Sequence, residues 1–203
     1  MAGSSPAMTD GAPAITEGAP AMTRSTAVVT TGAPVLTGSV SAMAADPFTL
    51  RLATPADAAE VLRLVRALAE YERLADQVTA TQDHFARALA GPAPRAHAVL
   101  AEAGGSAVGL ALWYYTFSTF AGGPDLFLED LFVEPGRRGQ GIGLALFRHL
   151  ARTAQDEGCR RMEWRVLDWN QPSIDFYHRI GARPMQDWTV MQLQGQALAA
   201  LAA

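Results

Sequence analysis

The stretch of the chain richest in possible chemistry is Arg137-Arg138-Gly139-Gln140-Gly141-Ile142-Gly143-Leu144. Alternate glycines let a backbone turn its N–H groups toward one point. A helix-periodic apolar run follows (Leu144, Phe147, Leu150, Ala151 and Ala154), so the same amides open a helix whose N-terminus adds partial positive charge. An anion suits that position. Two nucleotide patterns fail: a Walker loop needs Gly-Lys-Ser/Thr where Gly143-Leu144 stands, and Gly-x-Gly-x-x-Gly finds Leu144 or Leu146 at its third glycine. The pattern that fits is Arg/Gln-x-x-Gly-x-Gly/Ala, with Arg138, Gly141 and Gly143 in register. A plain glycine turn before a core helix uses the same residues.

A second group lies further on. Asn170, Ser173 and Tyr177 are spaced by three and four, which lines them along one helical face. A core tyrosine anchoring that helix has the same spacing. Glu129 and Asp130 fall in a predicted strand, where alternation sends them to opposite faces unless a bulge intervenes. A solvent-facing strand acid is the plainer account of either.

These residues depend on a set of elements that the periodicities outline. Phe48 to Leu52 alternates as a strand, and Thr54-Pro55-Ala56-Asp57 marks a helix start. Val61, Leu62, Val65, Leu68 and Ala69 make its buried face, and a second helix covers Gln82 to Ala90. Strands are predicted around Ala98–Ala103, Val108–Phe117 and Leu126–Val133, and a helix from Gly141 to Glu157 stops at Gly158. A strand over Met162–Leu167, a helix over Gln171–Ile180 and a last strand over Trp188–Leu193 complete the pattern. The order β-α-α-β-β-β-α-β-α-β predicts an α/β domain, one sheet covered by helices.

Composition sets the frame around that domain. The 203 residues, 49% hydrophobic and 18% charged, suit one domain with a substantial core. A net charge of −4 argues against a nucleic-acid binder, and no run reaches the length of a membrane span. One cysteine, Cys159, forms no intrachain disulfide, and the four histidines show no metal-ligand spacing, so no metal is implied. A reducing, cytoplasmic setting follows. Residues 1–45 read differently: Pro6, Pro13 and Pro20 recur in Ala/Thr/Gly-rich surroundings poor in large apolar residues, which predicts a disordered extension. They lack a basic n-region and an apolar core, so a signal peptide is not expected. The composition break equally admits Met43 as the start of translation, which N-terminal sequencing decides. The folded domain is expected over residues 46–194, with a short tail at 195–203.

Four segments in order carry a family resemblance: Leu128-Glu129-Asp130-Leu131-Phe132-Val133, the glycine loop, Val166-Leu167-Asp168-Trp169-Asn170-Gln171-Pro172, and Phe176-Tyr177-x-x-x-Gly181-Ala182. Over about Phe48 to Leu193 the chain resembles the GNAT superfamily of N-acetyltransferases, and within it the spermidine/spermine (diamine) and thialysine branches. Glu70-Tyr71-Glu72 matches too. The diamine branch's Asp-Pro-Trp-like segment is replaced by Thr119-Phe120-Ala121, and the Leu-Asp-Trp-Asn-Gln run leans toward the thialysine branch.

The resemblance implies the GNAT fold, a central mixed, mostly antiparallel sheet flanked by helices. It implies direct transfer of acetyl from acetyl-CoA to a small cationic amine in a ternary complex, by a cytoplasmic homodimer without a metal. Leu131, Phe132 and Val133 are expected to pair with the pantetheine arm through their backbone. Arg138, Gly139, Gln140, Gly141, Ile142, Gly143 and Leu144 would hold the pyrophosphate, and Asn170, Gln171, Pro172 and Ser173 would flank the arm. Tyr177 is the expected general acid: a phenol near pKa 10 can donate to a thiol-type leaving group of about 8.5. Glu129 is the expected base, acting through water, because an alkylammonium near pKa 10.4 is neutral only about once in 10³ at neutral pH. Tyr71, Glu72, Glu163, Trp164 and Arg165 are expected on the substrate side, and the acids Glu70, Glu72, Asp125 and Glu129 favour a cationic acceptor. Two other readings stand beside this one, a protein or peptide N-acetyltransferase and a non-catalytic acetyl-CoA-binding module.

Overall fold

The computed structural model describes residues 47–203. The expectations for residues 1–45, and for a start at Met43, lie outside the described residues. Strand β1 (Thr49–Leu52) leads through a 3₁₀ turn at Pro55–Asp57 into α1 (Ala58–Glu72). Thr54 donates its amide to Asp57 Oδ2 at 2.7 Å, so the capping residues read from sequence act on that turn, one step before the α-helix proper. Arg73 ends α1 in the left-handed conformation, with φ 62°. Helix α2 (Gln82–Ala88) follows, and Thr81 caps it by accepting from the His84 amide.

Three long antiparallel strands make the centre of the sheet: β2 (His97–Ala103), β3 (Ser106–Ser118) and β4 (Gly123–Val133). Helix α3 (Ile142–Asp156) then crosses over, and β5 (Met162–Trp164) joins β4 in parallel. Helix α4 (Gln171–Arg179) and a short α5 (Gly195–Leu201) complete the chain. The sheet order is β1-β2-β3-β4-β5, antiparallel except for its last pair.

Each sheet face buries its own helices. On one face Val99, Ala111, Trp113, Leu126 and Leu128 pack against Ile142, Leu146, Phe147 and Leu150 of α3, with Phe176 and Tyr177 of α4 at the margin. On the other, Leu100, Leu110, Leu112 and Phe132 meet Val61, Leu64 and Leu68 of α1. Full burial of such side chains contributes about 1.5–3 kcal/mol each.

Two expectations at the C-terminal end are corrected. Residues 182–194 contain no strand, although the alternation over Trp188–Leu193 predicts one. Alternation of apolar residues is only half of a strand's requirement. The other half is a ladder partner, and none reaches this segment, whose Trp188, Val190 and Met191 are exposed. The strand predicted over Met162–Leu167 stops at Trp164. Within the expected tail at 195–203, residues Gly195–Leu201 form a helix, consistent with their alanines and leucines.

Candidate active site

The early end of β5 shapes the site. Its pairing with β4 runs only from Leu126↔Met162 to Leu128↔Trp164. Strand β4 continues to Val133, and among the described residues its outer edge beyond Leu128 has no ladder partner. The parted strands open a cleft of about 780 Å³.

At the same place β4 bulges. Leu128 pairs with Trp113 and Asp130 with Leu112, which leaves Glu129 as an extra residue. Directly opposed residues share a face. Leu128 and Trp113 lie on the α3 face, whereas Leu112 and Phe132 lie under α1. Asp130 therefore follows Leu112 to the α1 face, and Glu129, next to the α3-facing Leu128, is there as well. Strict alternation predicted opposite faces for these two acids, and the bulge overturns it.

Glu72, the last residue of α1, lines the same side of the cleft. Burial, then the charges of Glu129 and Glu72, push the Asp130 carboxyl up to about 6. Burial raises Glu72 also. Glu129 has different neighbours: its charge adds to burial in raising the Tyr114 hydroxyl, and Arg165 opposes it there. The Arg165 guanidinium lies 5.3 Å from the centre of the Phe127 ring.

Tyr177 reaches the cleft from the α3 face. Phe147, Trp164 and Phe176 box its ring at 5.6, 5.1 and 5.6 Å. Burial first, with the charges of Glu72 and Tyr71, pushes its hydroxyl up to about 12, so it remains a proton donor throughout the neutral range. Asn170, the buried N-cap residue of α4, accepts a hydrogen bond from Tyr71 at 3.1 Å. The Arg138 guanidinium stacks 4.5 Å above Tyr71, and its Nε donates to the Val133 carbonyl at 3.0 Å.

The other end of the cleft suits an anion. Gly139 and Gly141 adopt φ of 76° and 83°, in the region that favours glycine. Helix α3 begins without a side-chain cap, so its first amides face the cleft uncapped. Behind the loop Gly109 is closely packed: an added Cβ would lie 3.2 Å from Ile142 and 3.3 Å from the Phe132 carbonyl, so its neighbours would have to give by a few tenths of an ångström.

Most residues expected at the site line this cleft: Tyr71, Glu72, Glu129, Leu131, Phe132, Val133, Arg138, Gly139, Gly141, Ile142, Gly143, Leu144, Arg165, Asn170, Pro172, Ser173 and Tyr177. Others do not. Gln140 donates to the Gly136 carbonyl, Gln171 bonds Asp175, and Glu163 lies 3.4 Å from Arg161. Trp164 serves as a wall of the Tyr177 box rather than a surface of the cleft. Asp125 is buried and paired with Arg161 at 2.8 Å, so its charge is compensated away from the cleft; Glu70 is exposed and off its lining as well. Asp130, which the sequence reading weighed but set behind Glu129, lines it too, as do Phe176 and Arg179, to which that reading gave no role in the site. Only the bulge brings Asp130 there, and no residue pattern announces a bulge.

Residues 61–182 match the model of the acetyltransferase (GNAT) family. The chain belongs to the GNAT family. This GNAT acetyltransferase is 36% identical over 164 residues to a thialysine N-epsilon-acetyltransferase of Bos taurus, covering 75% of this chain and 96% of the relative. It is 33% identical over 144 residues to the spermidine/spermine N(1)-acetyltransferase-like protein 1 of Homo sapiens, covering 68% of this chain and 21% of that protein. The fold recurs in an integron cassette protein from the mobile metagenome of V. cholerae, with a TM-score of 0.64 at 23% identity over 76% of this chain and 97% of that one. The GNAT chain is thus an N-acetyltransferase with a mixed, mostly antiparallel sheet. Among its described residues no helix is long and apolar enough to cross a membrane.

Proposed function

We propose that this enzyme transfers acetyl from acetyl-CoA directly to a small cationic primary amine, thialysine-like or a polyamine, within a ternary complex. One observation carries the reading: the carboxylates Glu72, Glu129 and Asp130 meet the cleft from the α1 face, and Tyr177 meets it from the α3 face. Acyl transfer to an amine needs a proton acceptor on the side of attack and a proton donor on the side of departure. The cleft offers one on each side.

The donor set fits acetyl-CoA as the acetyl source. The open main chain of Leu131–Val133 can pair with the amides of a pantetheine arm as an added strand would. Arg138 must first leave the Val133 carbonyl for that pairing to be complete. The amides from Gly139 to Leu144, beside the Arg138 guanidinium, suit the pyrophosphate, while Asn170, Pro172 and Ser173 form the opposite wall. Tyr177 protonates the leaving thiolate, and the carboxylates of the β4 bulge draw in the ammonium and take its proton, with Tyr71, Glu72 and Arg165 completing the acceptor side.

The enzyme is further proposed to act as a homodimer in the cytoplasm. The exposed Met185, Trp188, Val190 and Met191 support a covered surface in the assembled protein, and the single cysteine suits a reducing compartment. Sedimentation analysis tests the dimer. A thiol-release assay with acetyl-CoA against thialysine, lysine, putrescine, spermidine and a lysine peptide tests the activity. Turnover with the free amines supports the reading, and acetylation of the peptide alone overturns it.

A further inference from the structure

The carboxylates on the α1 face differ in their surroundings, and the difference separates their roles. Glu129 is the extra residue of the bulge, exposed, with the Tyr114 hydroxyl and the Arg165 cation as neighbours. Asp130 is held in the ladder opposite Leu112, half-buried behind Glu129 and beside Glu72. Among the described residues no cation pairs with it. Arg138 is engaged with Val133 and Tyr71, and Arg165 with Phe127. A half-buried carboxylate surrounded by other carboxylates is costly unless a cation completes the site.

We infer that Asp130, rather than Glu129, is the group that takes the proton from the acceptor ammonium. The inference rests on the amine-acetyltransferase reading above and assigns one of its roles. An Asp130 oxygen accepts one proton from the ammonium, which frees the nitrogen lone pair to bond the thioester carbonyl carbon. The carbon–sulfur bond breaks, the sulfur takes the Tyr177 proton, and the nitrogen's second proton restores the phenol. One proton per turnover leaves Asp130 for solvent. Glu129, wetter and nearer a cation, draws the ammonium toward the cleft.

The electrostatics agree. Burial and like charges make Asp130 a stronger base than an ordinary carboxylate while leaving it ionised at neutral pH. General bases work best when their pKa lies close to the operating pH. Glu72 and Glu129 are the charges that act on it, and the other ionisable groups of the cleft and bulge are Tyr71 on α1, Tyr114 on β3, Arg137 and Arg138 at the glycine loop, Arg165 beyond β5, and Tyr177 and Arg179 on α4. Glu72 is the one whose titration most resembles that of Asp130, because burial raises it also.

Rate profiles against pH, with thialysine as acceptor, test the assignment in the wild type and in Asp130→Asn, Glu129→Gln and Glu72→Gln. The wild-type kcat/KM should fall on the acid side of a pKa of about 6. Asp130→Asn should lose that acid limb, drop kcat by about 10²–10³-fold at neutral pH and bind acetyl-CoA as before. A β,β-difluorinated thialysine analogue, whose amine is largely neutral at pH 7, should restore the Asp130→Asn rate to within a few-fold of wild type. Glu129→Gln should raise the acceptor KM and keep the limb. Survival of the limb in Asp130→Asn, or its loss with Glu129 or Glu72 instead, overturns the assignment. So does a neutral analogue that suffers the same rate loss. Should Asp130→Asn fail to bind acetyl-CoA, Asp130→Glu decides: partial activity with a shifted limb supports the role, and a folded, cofactor-binding but inactive protein refutes it. Absence of wild-type turnover on every free amine fails the underlying reading and removes this inference with it; turnover with a surviving limb fails the Asp130 assignment alone.

Discussion

The hydroxyl of Tyr71 donates to Oδ1 of Asn170 at 3.1 Å, tying the end of α1 to the start of α4 across the cleft. The two residues are far apart in sequence, and Asn170 is only 5% exposed. Tyr71→Phe keeps the ring under Arg138 but leaves the amide oxygen without that partner. The expected cost is about 1–2 kcal/mol of stability, read by urea unfolding. The acceptor KM should rise several-fold, while the acetyl-CoA affinity changes less.

Tyr177→Phe isolates the phenol. The aromatic box of Phe147, Trp164 and Phe176 contacts the ring and not the hydroxyl, so the variant should fold and bind acetyl-CoA normally. Its kcat is expected to fall by about 10²–10⁴-fold, measured by thiol release. Because the hydroxyl titrates only at about 12, no loss of wild-type activity between neutral pH and mildly alkaline pH should trace to it.

Asp130 should carry a stability penalty of definite sign. Its folded pKa, about 6, lies above the unfolded value of 3.8, so the fold holds the proton more tightly than the unfolded chain. Stability is therefore favoured below the unfolded value and lost as pH rises through the folded one. Asp130→Asn should unfold at higher denaturant than wild type above that window and match it in acid. The difference is at most about 3 kcal/mol, at roughly 1.4 kcal/mol per pH unit. Asp57 has the opposite sign: the Arg51 fork, at 2.9 Å, holds its carboxyl well below the usual range, and that stabilisation fades as acid protonates it.

The glycine positions predict a graded series. Gly141→Ala forces a side chain into φ 83°, at a cost of about 1–2 kcal/mol, and should weaken acetyl-CoA binding in a calorimetric titration. Gly109→Val acts from behind, pressing on Ile142 and the Phe132 carbonyl, with an overpacking cost of about 1–3 kcal/mol. Gly136→Ala, open on all sides and outside the left-handed region, should change neither stability nor affinity.

Local signals made much of this architecture readable. The apolar faces of α1 and α3, the glycine loop and the Asn170/Ser173/Tyr177 row depend on spacing within one element, and spacing is written in the residues. The bulge at Glu129 depends on what β3 presents across the ladder, where Leu112 and Trp113 face Asp130 and Leu128. The early end of β5 and the unpaired Trp188–Leu193 segment likewise depend on partners, which a one-dimensional pattern does not contain.

The open edge of β4 has a consequence for how such an enzyme can diversify. Peptide N–H and C=O groups at Leu131–Val133 are the same whatever side chains accompany them, and the glycine loop presents amides as well. A ligand held by those groups tolerates drift in side-chain identity, provided the strand and turn keep their course. The far end of the cleft is the reverse case: Glu72, Glu129, Asp130 and Arg165 line it with charged side chains. One substitution at that end changes the lining without touching the strand edge or the glycine loop. The two ends of one cleft are thus constrained differently, by the course of the main chain at one and by side-chain identity at the other.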